Sequence, residues 1–197
     1  MTFERAMVIL FTKAAQTVIA ERFTHTFFDN DGNRVRKVFA YLFSVFIAIF
    51  VNLFFHKPIF NFLSIFLGLS AIALSYNGTI KRKCMFVFYI LAVSCLIDLV
   101  VSAFLIKPFG YDGYSAFVSI FALLLLHAAQ LITERFFGND LGIELNNRYW
   151  LFIIASLLVC IITSIVIFMD KTVSSFSLSL VCGAFLLVNI IISYLMD

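Results

Sequence analysis

Apolar residues along this chain gather into seven long runs separated by short polar connections, at residues 6–27, 38–55, 59–79, 84–106, 115–137, 149–169 and 173–195. Each run is close to the about 20 residues that a helix needs to cross a hydrocarbon layer about 30 Å thick. The pattern predicts an all-α fold: a polytopic membrane helical bundle of about seven transmembrane helices forming a single domain over 1–197. Lys13 and Gln16 interrupt the first run. That run continues through Glu21 and Arg22 with no small-residue cleavage site, so it reads as a span and not as a signal peptide. Pro58 and Pro108 are the two prolines and both sit at ends of runs, which predicts no helix broken at mid-membrane.

Composition strengthens this reading. Hydrophobic residues make up 63% of the chain and charged ones 13%, too little polar surface to coat a globule in water. The longest polar stretch, Asp29 to Lys37, is rich in turn formers and too short to be a domain. The basic residues sort by connection. Arg22, Arg34, Arg36 and Lys37 gather where span one passes into span two, Lys81, Arg82 and Lys83 between three and four, and Arg135 and Arg148 between five and six. The alternate connections carry Lys57, Lys107 and Lys171, one each. By the positive-inside rule the basic connections are cytoplasmic, which puts the N-terminus outside and Asp197 inside. The net charge of +3 then reports orientation and gives no support to nucleic-acid binding.

An ionisable group inside a span is costly unless it meets a partner or water, so each one is a functional candidate. Lys13 and Asp98 fall at matching depth, roughly 13 Å below the outer surface at about 1.5 Å per residue. Gln16, Thr17 and Ala20 share the face of Lys13, while Ser94 and Ser102 flank Asp98 at helical spacing. Two readings stay open: the stripes line a ligand cavity or form a switch, or the pair only fixes helix register. His127, followed by Gln130 and Glu134, raises a proton relay against two alternatives, a neutral hydrogen-bonded histidine between helices and a Glu134 that snorkels to the cytoplasmic interface.

His25, His56 and His127 lie at different levels, which predicts no metal site, and no catalytic constellation shares one depth. No cofactor and no enzymatic role are expected of this chain. Cys84, Cys95, Cys160 and Cys182 fall within runs, without Cys-x-x-Cys spacing, and read as small core residues. The external connection Lys107 to Tyr114 is the most distinctive, and Phe109, Tyr111, Asp112 and Tyr114 are its candidate ligand contacts, against the alternative of an interfacial aromatic belt. Ser175, Ser179 and Gly183 recur at i, i+4, i+8 and permit close helix packing, within the chain or across a dimer. Span one (Ala14-Ala15-Gln16, then Glu21-Arg22-Phe23) and span five (Ala128-Ala129-Gln130, then Glu134-Arg135-Phe136) also suggest a three-one-three repeat, against chance similarity between apolar helices.

The stretch Tyr76-Asn77-Gly78-Thr79-Ile80-Lys81-Arg82-Lys83, followed by an apolar span with one acid, resembles the middle of the sensor region in peptide-pheromone receptor histidine kinases of the accessory gene regulator type. Arg148-Tyr149-Trp150 and Ser193-Tyr194-Leu195-Met196-Asp197 are similar to the opening and close of that family's last two helices. The likeness covers the chain at the level of layout, and Asp98 stands where many relatives carry Glu. It implies a bacterial plasma-membrane receptor that binds a small, often cyclic, apolar peptide from outside and works as a homodimer. In that family the last span leads into a kinase, so the end at Asp197 is expected to mark a sensor domain cut from a longer receptor. Two rivals remain, a small three-one-three transporter and a substrate-capturing subunit of a vitamin importer.

Overall fold

The computed structural model describes residues 3–28, 33–55, 58–110 and 115–137, and its elements are all helical. They are α1 (Phe3–Phe27), α2 (Arg34–Phe54), α3 (Pro58–Ser75), α4 (Ile80–Val101), the single turn α5 (Lys107–Phe109) and α6 (Ala116–Phe137). The helices start where their local chemistry allows. Asn33 caps α2, its Oδ1 accepting from the Val35 N–H at 3.0 Å, and Thr79 caps α4, its Oγ1 accepting from the Arg82 N–H at 3.4 Å. Expected spans six and seven lie outside the described residues, as do Ser175, Ser179 and Gly183.

The C-terminal end of α4 differs from the regular helix that the sequence pattern predicts. Ser102–Ile106 widen into a π-helical turn before α5 begins. Pro108 supplies the reason: it has no N–H to offer the carbonyl of Phe104 and its ring crowds that carbonyl, so the ladder opens just before it. Gly110 then ends α5 at φ +67°, in the left-handed region that favours glycine.

Contacts between side chains fix the relative directions of the long helices. Thr24 near the end of α1 meets Tyr41 near the start of α2 and Tyr76 just past α3. Phe27 meets Phe86 and Tyr89 near the start of α4, and Tyr89 meets Thr133 near the end of α6. At the opposite level Asn52 of α2 meets Asn61 of α3, 3.0 Å apart. Successive long helices therefore alternate in direction, and α1, α3 and α6 run parallel. Between them Phe23, Ile72, Phe86 and Leu91 are buried in one continuous apolar core.

The surface is turned inside out relative to a water-soluble protein. Phe39, Phe43, Phe46, Phe50 and Phe54 form an exposed ladder along α2, and Phe46 alone is 68% exposed, whereas Gln130 and Thr24 are at 0%. Such a face is stable only against an apolar medium, and polar side chains retreat into the bundle where partners satisfy them. Among the described residues, three helices are long and apolar enough to cross a membrane: Arg34–Asn52, Ile80–Ile106 and Ala116–Arg135. The apolar part of α3, Phe60–Ser75, is shorter, and α1 is diluted by Thr12, Lys13, Gln16, Thr17, Glu21 and Arg22. The described residues thus form an all-helical bundle that contains helices suited to a membrane.

Candidate functional site

Five helices leave a cavity of about 120 Å³ between them. Its position follows from small residues that hold the helices around it. Gly68 on α3 lies so close to Ser44 on α2 that a Cβ at position 68 would collide with the serine side chain and press its backbone. Helices can approach this closely only where one side chain is missing.

The walls are unusually polar for the centre of an apolar bundle. α1 contributes Lys13, Gln16 and Thr17, and α4 contributes Ser94 and Asp98. α2 adds Ser44, α3 adds Asn61 and Ser64, and α6 closes the far side with Ala122 and Leu126. The stripe expected on the face of Lys13 and most of the stripe expected around Asp98 thus share one space. Ser102, the remaining member, lies in the π-helical turn and does not line it.

Lys13 and Asp98 do not pair directly. The Lys13 ammonium donates to Gln16 Oε1 at 3.1 Å, and the Thr17 hydroxyl donates to the Lys13 carbonyl at 2.9 Å. The Asp98 carboxylate accepts no hydrogen bond from the described residues, although the two charges are near enough to attract one another. Asp98 lines the cavity and is exposed, whereas Lys13 is half-buried. The hydroxyls of Ser44 and Ser94 likewise meet no hydrogen-bond partner among the described residues. Ser64 is satisfied by its own helix, donating to the Asn61 carbonyl at 2.7 Å, and Asn61 Oδ1 accepts from Asn52.

A second polar group lies at the other end of the bundle. Tyr41 Oη and Tyr76 Oη are 3.0 Å apart, and Thr24 Oγ1 stands 3.3 and 3.0 Å from them, so three hydroxyls tie α1, α2 and the end of α3 together. Phe28 stacks on the Tyr76 ring at 5.3 Å, and the Lys37 ammonium sits 4.2 Å from its centroid. Tyr76 is the first residue of the stretch that carries the family resemblance.

The remaining candidates scatter. Gln130 is fully buried and its Nε2 donates to Glu134 Oε2 at 2.6 Å, while its Oε1 meets no partner. His127 is half-buried one turn earlier and makes no hydrogen bond to them. Gln16 and Gln130, equivalent in the suggested repeat, therefore differ in surroundings: one holds Lys13, the other Glu134. Phe109 is exposed on α5 beside the loop, whereas Tyr111, Asp112 and Tyr114 lie outside the described residues. Cys84 and Cys95 are half-buried on α4, and no group of residues suited to a metal occurs among the described ones.

No family model, curated protein or solved structure matches this chain. The cavity's geometry and chemistry are therefore the main guide to function.

Sequence reasoning found Lys13, Gln16, Asp98 and Ser94 because charge and amide groups in an apolar run stand out. It passed over Ser44 and Asn61. Asn61 had a signal, an amide one turn into an apolar run; Ser44 had none, since a serine on a lipid-spanning helix is ordinary.

Proposed function

We propose that this chain is a seven-span membrane sensor module, N-terminus outside and C-terminus in the cytoplasm of a bacterial cell, which binds a small apolar or cyclic peptide from outside. It passes the signal through its last helix to a cytoplasmic histidine kinase and works as a homodimer. The observation that carries the reading is the polar cavity in which Lys13 and Asp98 face one another without pairing. Two unpaired charges inside an apolar bundle make an element with more than one arrangement, and a ligand that prefers one of them shifts the balance by its difference in affinity. The orientation is supported by helix direction, which collects Arg34, Arg36, Lys81, Arg82, Lys83 and Arg135 at the end opposite the cavity's charges. The resemblance around Tyr76 to Lys83 supports the receptor class.

A cavity of about 120 Å³ is far too small for a cyclic peptide, so the peptide itself meets the outer loop, with Phe109, Tyr111, Asp112 and Tyr114 as its contacts. Peptide binding to the chain reconstituted in lipid nanodiscs tests this. Alanine at all four positions is expected to abolish binding while Asp98→Asn leaves binding intact and removes the response; unchanged binding by the fourfold variant would remove the loop from the reading. The same charged cavity supports a second reading, a small transporter, and uptake by proteoliposomes in the absence of any peptide response would favour it.

A further inference from the structure

The groups lining the cavity define what it can hold. Lys13 gives one of its three N–H donors to Gln16 and has two left; Asp98 has both carboxylate oxygens without a donor, and Ser44 and Ser94 add two uncommitted hydroxyls. Asp98 is exposed and Lys13 half-buried on the wall of this space, so an occupant that donates to Asp98 and accepts from Lys13 satisfies both at once. A simple cation is repelled by Lys13 and a simple anion by Asp98. The complementary species carries both signs or a strong dipole.

Volume sets the size. Benzene, with six non-hydrogen atoms, occupies an engineered cavity of roughly 150 Å³, so about 120 Å³ admits a solute of five or six. We propose that the cavity is a binding site for a small zwitterion of the α-amino acid class, glycine or alanine in size, with its ammonium on Asp98 and its carboxylate on Lys13. Gln16 orients the lysine, and the hydroxyls of Ser44 and Ser94 complete the shell. Leu126 and Ala122 line the side formed by α6 and make it apolar. The site goes beyond the sensor reading and stands without it.

The test uses the full chain in nanodiscs and radiolabelled glycine and alanine in equilibrium dialysis. Saturable binding of both is expected, with leucine excluded by size and with methylammonium or acetate, each carrying only one of the two charges, competing poorly. Lys13→Gln and Asp98→Asn are each expected to weaken binding by about 30-fold or more, the effect of removing one partner from a hydrogen-bonded charged contact. Absence of saturable glycine and alanine binding to well-folded wild-type protein overturns the proposal, because water alone then satisfies the cavity. Equal competition by methylammonium or by leucine overturns it too. These outcomes are read on the wild-type chain and hold even if a variant fails to fold. Peptide binding is measured separately, so failure of this site and failure of the sensor reading are distinguishable.

Discussion

The two polar centres of this bundle use the same kinds of side chain to opposite ends. At Thr24, Tyr41 and Tyr76, hydroxyls from three chain segments satisfy one another and are packed over by Phe28 and Lys37. In the cavity, Lys13, Asp98, Ser44 and Ser94 point at space and leave much of their bonding capacity unused. Satisfied polar groups in an apolar bundle hold helices in one arrangement; unsatisfied ones can only receive something. The first centre is a clasp and the second is a receptacle, and substitutions can separate the two roles.

The largest effect is expected from Tyr76→Ala, which removes the ring stacked on Phe28 as well as the hydroxyl at the centre of the clasp. A loss of about 3–5 kcal/mol in unfolding free energy is anticipated, as for other buried aromatic truncations, measured by denaturant titration in mixed micelles. A loss below about 1 kcal/mol would mean that this end does not hold the helices. Next comes Gly68→Ala. Its Cβ must displace Ser44, and overpacking of this kind costs about 1–3 kcal/mol. Because Ser44 lines the cavity, the variant should also alter the labelling rate of a cysteine placed at Ser94, and an unchanged rate would show that the α2–α3 approach does not shape the cavity.

Tyr76→Phe removes only the hydroxyl, and a cost of about 0.6–1.7 kcal/mol is expected, the range found for single hydrogen bonds between helices in membranes. The smallest change belongs to the double variant Lys13→Gln with Asp98→Asn. Replacing both charges by neutral groups of similar size should alter stability by less than about 1 kcal/mol or raise it, whereas either single change leaves an uncompensated charge and costs more. If the double variant proves less stable than Tyr76→Phe, the cavity charges are structural and the contrast between the two centres fails.

Helix positions were legible because their signal is local. The runs at 38–55, 59–79, 84–106 and 115–137 overlap α2, α3, α4 with its π-helical turn, and α6. Part of the cavity was legible for the same reason: charge within an apolar run is conspicuous, and helical spacing puts Gln16 beside Lys13 and Ser94 beside Asp98. The clasp was not. Thr24, Tyr41 and Tyr76 are separated by 17, 35 and 52 positions, and nothing local says which of several hydroxyls will meet. Ser44 was hidden likewise, since its place on the wall depends on Gly68 in another helix. The π-helical turn escaped notice because Pro108 marks a disturbed ladder without saying which of several local geometries absorbs it.

The widened turn at Ser102–Ile106 has a mechanical consequence. It lies between Asp98 on the cavity wall and Phe109 on α5, and it holds one more residue than an α-helical turn of the same height. Tightening it to α geometry would swing the segment beyond it through about 100° and lengthen the helix by about 1.5 Å, the contribution of a single residue. The chain thus keeps one residue of slack between Phe109 and the carboxylate of Asp98.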